Sequence, residues 1–167
     1  MELLTAMKGL DRVDAWEAAK ELGSGLIDTS LSLITMMEEA DQAHTKEAAA
    51  YVLGCGRVLA AREALETVLG NTAAASSLRG HAAEALASIG HSDSTDALLR
   101  QLDDADAGVR YWCVFALGRI AGPNVIPLLR AFAERVGAEQ FGQHSLRQEA
   151  LDALTEIERR ADSTLRY

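Results

Sequence analysis

In a chain of 167 residues, few side chains have the types and spacing that chemistry requires. Cys55 and Cys113 are the only thiols. A nucleophilic cysteine needs an exposed, electropositive site with a base beside it. Both cysteines instead sit among apolar neighbours in helical segments, so each is expected to be a small core residue. Two such cysteines do not make a disulfide framework. Glu38, Asp41, His44 and Glu47 are spaced as metal ligands on one helical face would be. A helix junction falls between Asp41 and His44, however, and no second histidine is near, so a solvated acidic corner is expected and no metal site. His81, His91 and His144 are scattered and read as surface histidines. The GSG at 23–25 reads as a helix stop rather than a phosphate loop. No catalytic residue, cofactor or enzyme activity is expected. Two other sets stand out. Tyr111, Phe115 and Arg119 fall at i, i+4 and i+8 with Trp112 beside them, and Arg79, Arg110 and Arg147 recur at similar places in similar segments.

The elements that position these residues follow from internal repetition. SLRGHAAEALASIG (77–90), GVRYWCVFALGRIA (108–121) and SLRQEALDALTEIE (145–158) align without gaps. Leu78, Val109 and Leu146 share a column, as do Ala82, Cys113 and Ala150, and Ala85, Ala116 and Ala153. Leu86, Leu117 and Leu154 share another, and so do Ile89, Ile120 and Ile157. Apolar positions at such steps make one face of an α-helix. Weaker copies precede them: 44–56, with Ala48, Val52 and Cys55 set against Ala82, Leu86 and Ile89, and 11–23, with Arg12 in the arginine column. From Ala19 the matching positions are Val52, Leu86, Leu117 and Leu154, at steps of 33, 34, 31 and 37 residues. The one long step contains 135–144, which reads as an extended loop.

A second helix precedes each of these. Leu33, Met36 and Met37 match Leu65, Val68 and Leu69, then Leu98, Gln101 and Leu102, then Leu128, Ala131 and Phe132. Gly23, Gly70, Gly90 and Gly122 read as helix stops, and Pro127 suits a first turn. A hairpin of this kind cannot bury its apolar stripe alone, so neighbours must stack. The expected fold is all-α: one domain over 1–167, a right-handed α-solenoid of about five helical hairpins (1–25, 26–59, 60–91, 92–122 and 123–162).

Composition agrees. Alanine and leucine dominate, aromatics are 5% and prolines number two. That mix favours helix and excludes an all-β barrel or a disordered chain. No apolar run approaches the ~20 residues of a spanning helix. The start MELLTAMKGL lacks the features of a signal peptide, so a cytoplasmic chain is expected. The net charge is −9, and residues 1–53 hold 4 basic against 10 acidic residues. Nucleic-acid binding needs a basic stripe, so neither nucleic acid nor membrane is an expected partner. An acidic surface favours a basic partner.

ALLRQLDDADAGVRYWCVFALGRIAGPNVIPLLRAF (97–132) resembles a HEAT repeat of the bilin-lyase (PBS lyase) type. Asp104, Asp106, Val109, Arg110, Ala116, Leu117, Gly118 and Ile120 carry the resemblance, and 78–90 is a second match. The resemblance implies that the second helix of each pair lines a concave face. There the column of Gly80 and Gln148 holds Tyr111, that of His81 and Glu149 holds Trp112, that of Glu84 and Asp152 holds Phe115, and that of Ser88 and Glu156 holds Arg119. Aromatic and arginine side chains with Glu84 and Asp152 at the rim make a protein-binding hot spot. The alternative is that the rings pack onto neighbouring repeats, and Trp112 is the one most expected to be partly buried. The recurring Arg79, Arg110 and Arg147 are expected to pair with loop carboxylates such as Asp104 and Asp106 as a structural ladder, with an anion track as the alternative.

The expected function is a non-enzymatic scaffold that binds a protein, as an adaptor or an immunity- or antitoxin-like inhibitor. The alternative implied by the resemblance is a bilin-lyase-like enzyme or chromophore chaperone, in which Arg110 and Arg119 would hold propionates. A reader of DNA lesions is disfavoured by charge. Self-association through the N-terminal hairpin, with its apolar Leu3, Leu4 and Met7, is a further possibility.

Overall fold

The computed structural model describes residues 30–164. Eight helices follow one another: α1 (Ser30–Glu39), α2 (Ala43–Cys55), α3 (Arg62–Gly70), α4 (Ser76–Ile89), α5 (Thr95–Arg100), α6 (Ala107–Ile120), α7 (Ile126–Val136) and α8 (Leu146–Thr164). A two-strand antiparallel hairpin, β1 (Gln140–Phe141) and β2 (His144–Ser145), lies between α7 and α8. The fold is an all-α solenoid. Helices α2, α4, α6 and α8 pack side by side in one row, while α1, α3, α5 and α7 form the other and touch one another far less. The segment 1–25, with Arg12, Leu3, Leu4 and Met7, lies outside the described residues.

Small side chains explain the tight row. A Cβ on Gly54 of α2 would lie 2.6 Å from Ala85 Cα of α4, and one on Gly118 of α6 would lie 2.9 Å from Ala153 Cα of α8. A side chain at either position would force the facing helix to shift. The core columns of Leu53, Leu86, Leu117 and Leu154 are buried, as are Ala49, Ala82, Cys113 and Ala150.

Two registers differ from the sequence reading by one residue. In α2 the true column mates of Ala82 and Leu86 are Ala49 and Leu53, not Ala48 and Val52. Cys55 thereby leaves the core column and is exposed. In α7 the buried set is Leu129, Phe132 and Ala133, whereas Leu128 is 53% exposed. Both slips arise where apolar residues run consecutively, so that two helical faces fit the pattern.

Local signals set the boundaries. Asp106 caps α6, accepting from the backbone N–H groups of Gly108 (2.9 Å) and Val109 (3.1 Å). Helix α4 ends on Gly90 at φ 77°. In the corrected register its counterpart after α2 is Arg57, at φ 51°. There the Val58 N–H donates to Leu53 O (3.0 Å) and the Arg57 N–H to Gly54 O (2.9 Å), a Schellman closure built without glycine. A short 3-10 turn leads into each of α3, α5 and α7. The stretch 135–144 is not a plain loop: α7 runs to Val136, and the rest forms the hairpin, whose turn opens on Gly142 at φ 59°.

Candidate functional site

Helix α6 carries Tyr111, Trp112, Phe115 and Arg119 on its solvent-facing side. The three rings are half-buried and Arg119 is exposed. They meet edge to face: the Tyr111 and Trp112 centroids are 5.5 Å apart at 83°, and those of Trp112 and Phe115 are 5.5 Å apart at 85°. The Arg119 guanidinium carbon stands 5.6 Å from the Phe115 centroid, extending the row by a cation–π contact. Trp112 also leans on the preceding repeat. A Cβ on Gly80 of α4 would lie 3.0 Å from Trp112 Cδ1, so the missing side chain there makes room for the indole. The row thus packs against its neighbours and still presents partly exposed rings.

The sequence reading missed residues that complete this cluster. Phe141, on the hairpin, packs against Tyr111 with centroids 5.6 Å apart, and its Cε2 would lie 2.7 Å from a Cβ on Gly108. His144 flanks the same ring at 5.3 Å. Glu149 of α8 is hydrogen-bonded to the Tyr111 hydroxyl. Burial, then the neighbouring Glu149 and Asp152, push the Tyr111 phenol up to about 12. Burial also raises Glu149 above the ordinary carboxylate range; Asp152 adds to this, while the Tyr111 hydroxyl and His144 oppose it. The only sequence signal for Phe141 and His144 was the overlong repeat step.

The rim residues are placed differently from each other. Asp152 is exposed, lies near enough to act on Tyr111, and accepts a 2.9 Å bond from Gln148 Nε2. Glu84 is half-buried and engaged within α4, with its Oε2 3.2 Å from His81 Nδ1. That imidazole is largely covered, a correction to its reading as a surface histidine.

The arginine column behaves unevenly. Arg79 pairs with Asp104, with side chains 8% and 4% exposed. Arg110 donates to the Asp104 carbonyl and pairs with Glu139 at the base of the hairpin. Burial alone would raise the Asp106 carboxyl. Bonds from the Ser76 hydroxyl and the Val109 and Gly108 amides, with Arg79 nearby, outweigh it and hold the carboxyl below its ordinary range. Lys46 occupies the arginine column in α2 and donates to the Glu38 carbonyl. Arg147 is exposed and makes no ion pair among the described residues. Arg79 and Asp104 thus form a buried ion pair across the turn between two stacked hairpins. Residues 62–140 match the family model for HEAT repeats. No curated protein matches the chain.

The HEAT-like stretch therefore runs from α3 to the first hairpin strand, and the ridge on α6 lies inside it. Helix α8 lies beyond the match and supplies Glu149 and Asp152. It also closes α6 from a distance: the Arg160 guanidinium donates to the carbonyls of Gly118 (2.6 Å), Arg119 (2.7 Å) and Ala121 (2.8 Å). A cation at a helix C-terminus satisfies its orphan acceptors and complements its dipole. The remaining candidates stand apart from this surface. Cys113 is buried, and burial first, then Asp104, pushes its thiol far up. Asp41, His44 and Glu38 are exposed, and no group of three metal-binding side chains is assembled among the described residues. No helix among the described residues is long and apolar enough to cross a membrane.

Proposed function

We propose that the protein is a non-enzymatic interaction scaffold, and that it seats a partner protein on the face of α2, α4, α6 and α8. Tyr111, Trp112, Phe115 and Arg119 are its centre, and Glu84 and Asp152 its rim. HEAT repeats commonly mediate protein–protein contacts, and the matched segment contains this ridge. The observation that carries the reading is the half-buried aromatic row ending in an exposed arginine, on a helix whose other face is core. Rigid aromatic anchors and arginine are the residue types that dominate binding energy at interfaces.

Charge supports a basic partner. The solvent-facing columns of these helices hold exposed Asp152 and half-buried Glu47, Glu84, Glu149 and Glu156, and the chain carries −9. Complementary potentials favour association with a positive surface. Such a protein serves as an adaptor or as an immunity- or antitoxin-like inhibitor that neutralises a basic partner. The ion pairs of Arg79 and Arg110 act as architecture on this reading, not as an anion track, because their charges are already met by Asp104 and Glu139.

The test is capture from a native lysate by tagged wild-type protein and by the Tyr111→Ala/Phe115→Ala variant, each checked for fold by circular dichroism. A stoichiometric protein retained by the wild type and lost from the folded variant supports the reading. Equal retention by both overturns it.

A further inference from the structure

We infer that the β1–β2 hairpin is part of the recognition surface, and that Tyr111, Phe141, Glu149 and Asp152 together take one cationic side chain of the partner, arginine or lysine. The inference rests on the protein-binding reading of this face and specifies its chemistry.

The hairpin is where the repeat breaks its own spacing. Between Leu53, Leu86, Leu117 and Leu154 the steps are 33, 31 and 37 residues. Extra residues inserted to fill a core would bury their large side chain, yet Phe141 remains 38% exposed and Gln140, Gln143 and His144 are exposed. The hairpin is nevertheless fixed. Glu139 at its base pairs with Arg110, the Leu146 N–H donates to Glu139 O (3.1 Å), and Phe141 rests on Gly108 and Tyr111. A held, solvent-facing aromatic is preorganised for binding. In repeat architectures, insertions commonly fall on the binding face.

The carboxylates beside it have neutral or imidazole neighbours, the Tyr111 hydroxyl and His144 at Glu149 and Gln148 at Asp152, rather than a lysine or arginine. Neither Glu149 nor Asp152 makes an ion pair with a lysine or arginine among the described residues. Two carboxylates thus lie near Tyr111, whose ring meets that of Phe141 at 37°. Carboxylates bind a guanidinium or ammonium by charge-assisted hydrogen bonds, and ring faces attract it through their quadrupoles.

Fluorescence anisotropy with fluorescein-labelled octa-arginine, octa-lysine and octa-glutamate tests this in buffered physiological salt. The proteins are the wild type, Glu149→Gln/Asp152→Asn, Phe141→Ala, Phe141→Leu, and a charge-matched control, Glu63→Gln/Glu134→Gln, which alters exposed carboxylates on α3 and α7. Wild type and control are expected to bind a cationic peptide alike. The carboxamide pair and Phe141→Ala are expected to weaken it about tenfold or more, equivalent to about 1.4 kcal/mol. Phe141→Leu keeps the hairpin packed and is expected to lose affinity too, because it removes the ring face. Equal affinity across all variants would mean diffuse attraction to an acidic chain and would overturn the inference. So would absence of cationic-peptide binding, or binding of octa-glutamate. Either failure leaves the lysate result with Tyr111→Ala/Phe115→Ala standing, so the two readings fail separately.

Discussion

Helices α4 and α6 occupy successive places in one row and differ chiefly on their solvent-facing side. Toward the core they are near copies: Ala82 and Cys113, Ala85 and Ala116, Leu86 and Leu117, Ile89 and Ile120. Toward solvent, Gly80, His81, Glu84 and Ser88 of α4 give way to Tyr111, Trp112, Phe115 and Arg119 of α6. Even the turns before them diverge, since Arg79 is paired with Asp104 and Arg110 with the hairpin residue Glu139. What repeats holds the stack together, because each interface has the same geometric task. What does not repeat is free of that task, and here it collects large rings around one helix and one inserted hairpin.

This contrast is broken most severely at the shared features. Asp104→Ala strands a buried guanidinium, and removal of one partner of a buried pair costs about 3–5 kcal/mol. Urea unfolding is expected to show that loss, whereas Arg147→Ala, at the exposed member of the same column, stays within about 0.5 kcal/mol of wild type. Next comes Gly118→Ala. Its Cβ would meet Ala153 at 2.9 Å, and overpacking of this kind costs about 1–3 kcal/mol. The α4 counterpart of that position is already Ala87, so Ala87→Gly measures how far one interface tolerates the other's solution.

Smaller still is Asp106→Ala, the loss of the α6 cap, at about 1 kcal/mol. The carboxyl sits below its ordinary range when folded. Its stabilisation is therefore present above that range and lost as pH falls through the folded value, so the gap between wild type and Asp106→Ala closes in acid. The finest effect separates Tyr111 from ordinary tyrosines. Its phenol is raised to about 12. The folded state thus holds the proton longer than the unfolded chain, and its contribution is lost as pH rises from the ordinary tyrosine value toward 12. Ultraviolet titration of phenolate is expected to show a late component that Tyr111→Phe removes.

The core columns were legible because leucine and alanine recur at helical steps between polar faces. Where apolar residues run together, as in Ala48–Ala50 and Val52–Leu53, two faces fit equally well and the register slipped, carrying Cys55 wrongly into the core. Leu128 and Leu129 repeat that ambiguity. The α6 ridge was visible as a departure from its columns. Phe141, His144 and Glu149 were not, because their meeting depends on how an insertion folds back, and nothing local encodes a ring landing on Gly108. Arg160 was equally hidden, since it caps a helix some 40 residues earlier.

The central claim is that the partner lies over the irregular face of α6 rather than the outer row. A photo-crosslinking amino acid placed at exposed Arg119, and separately at exposed Leu128 of α7, tests it directly in native lysate. The account predicts one discrete crosslinked protein from position 119 and none of that species from 128. The same species from both positions, or from 128 alone, would contradict it.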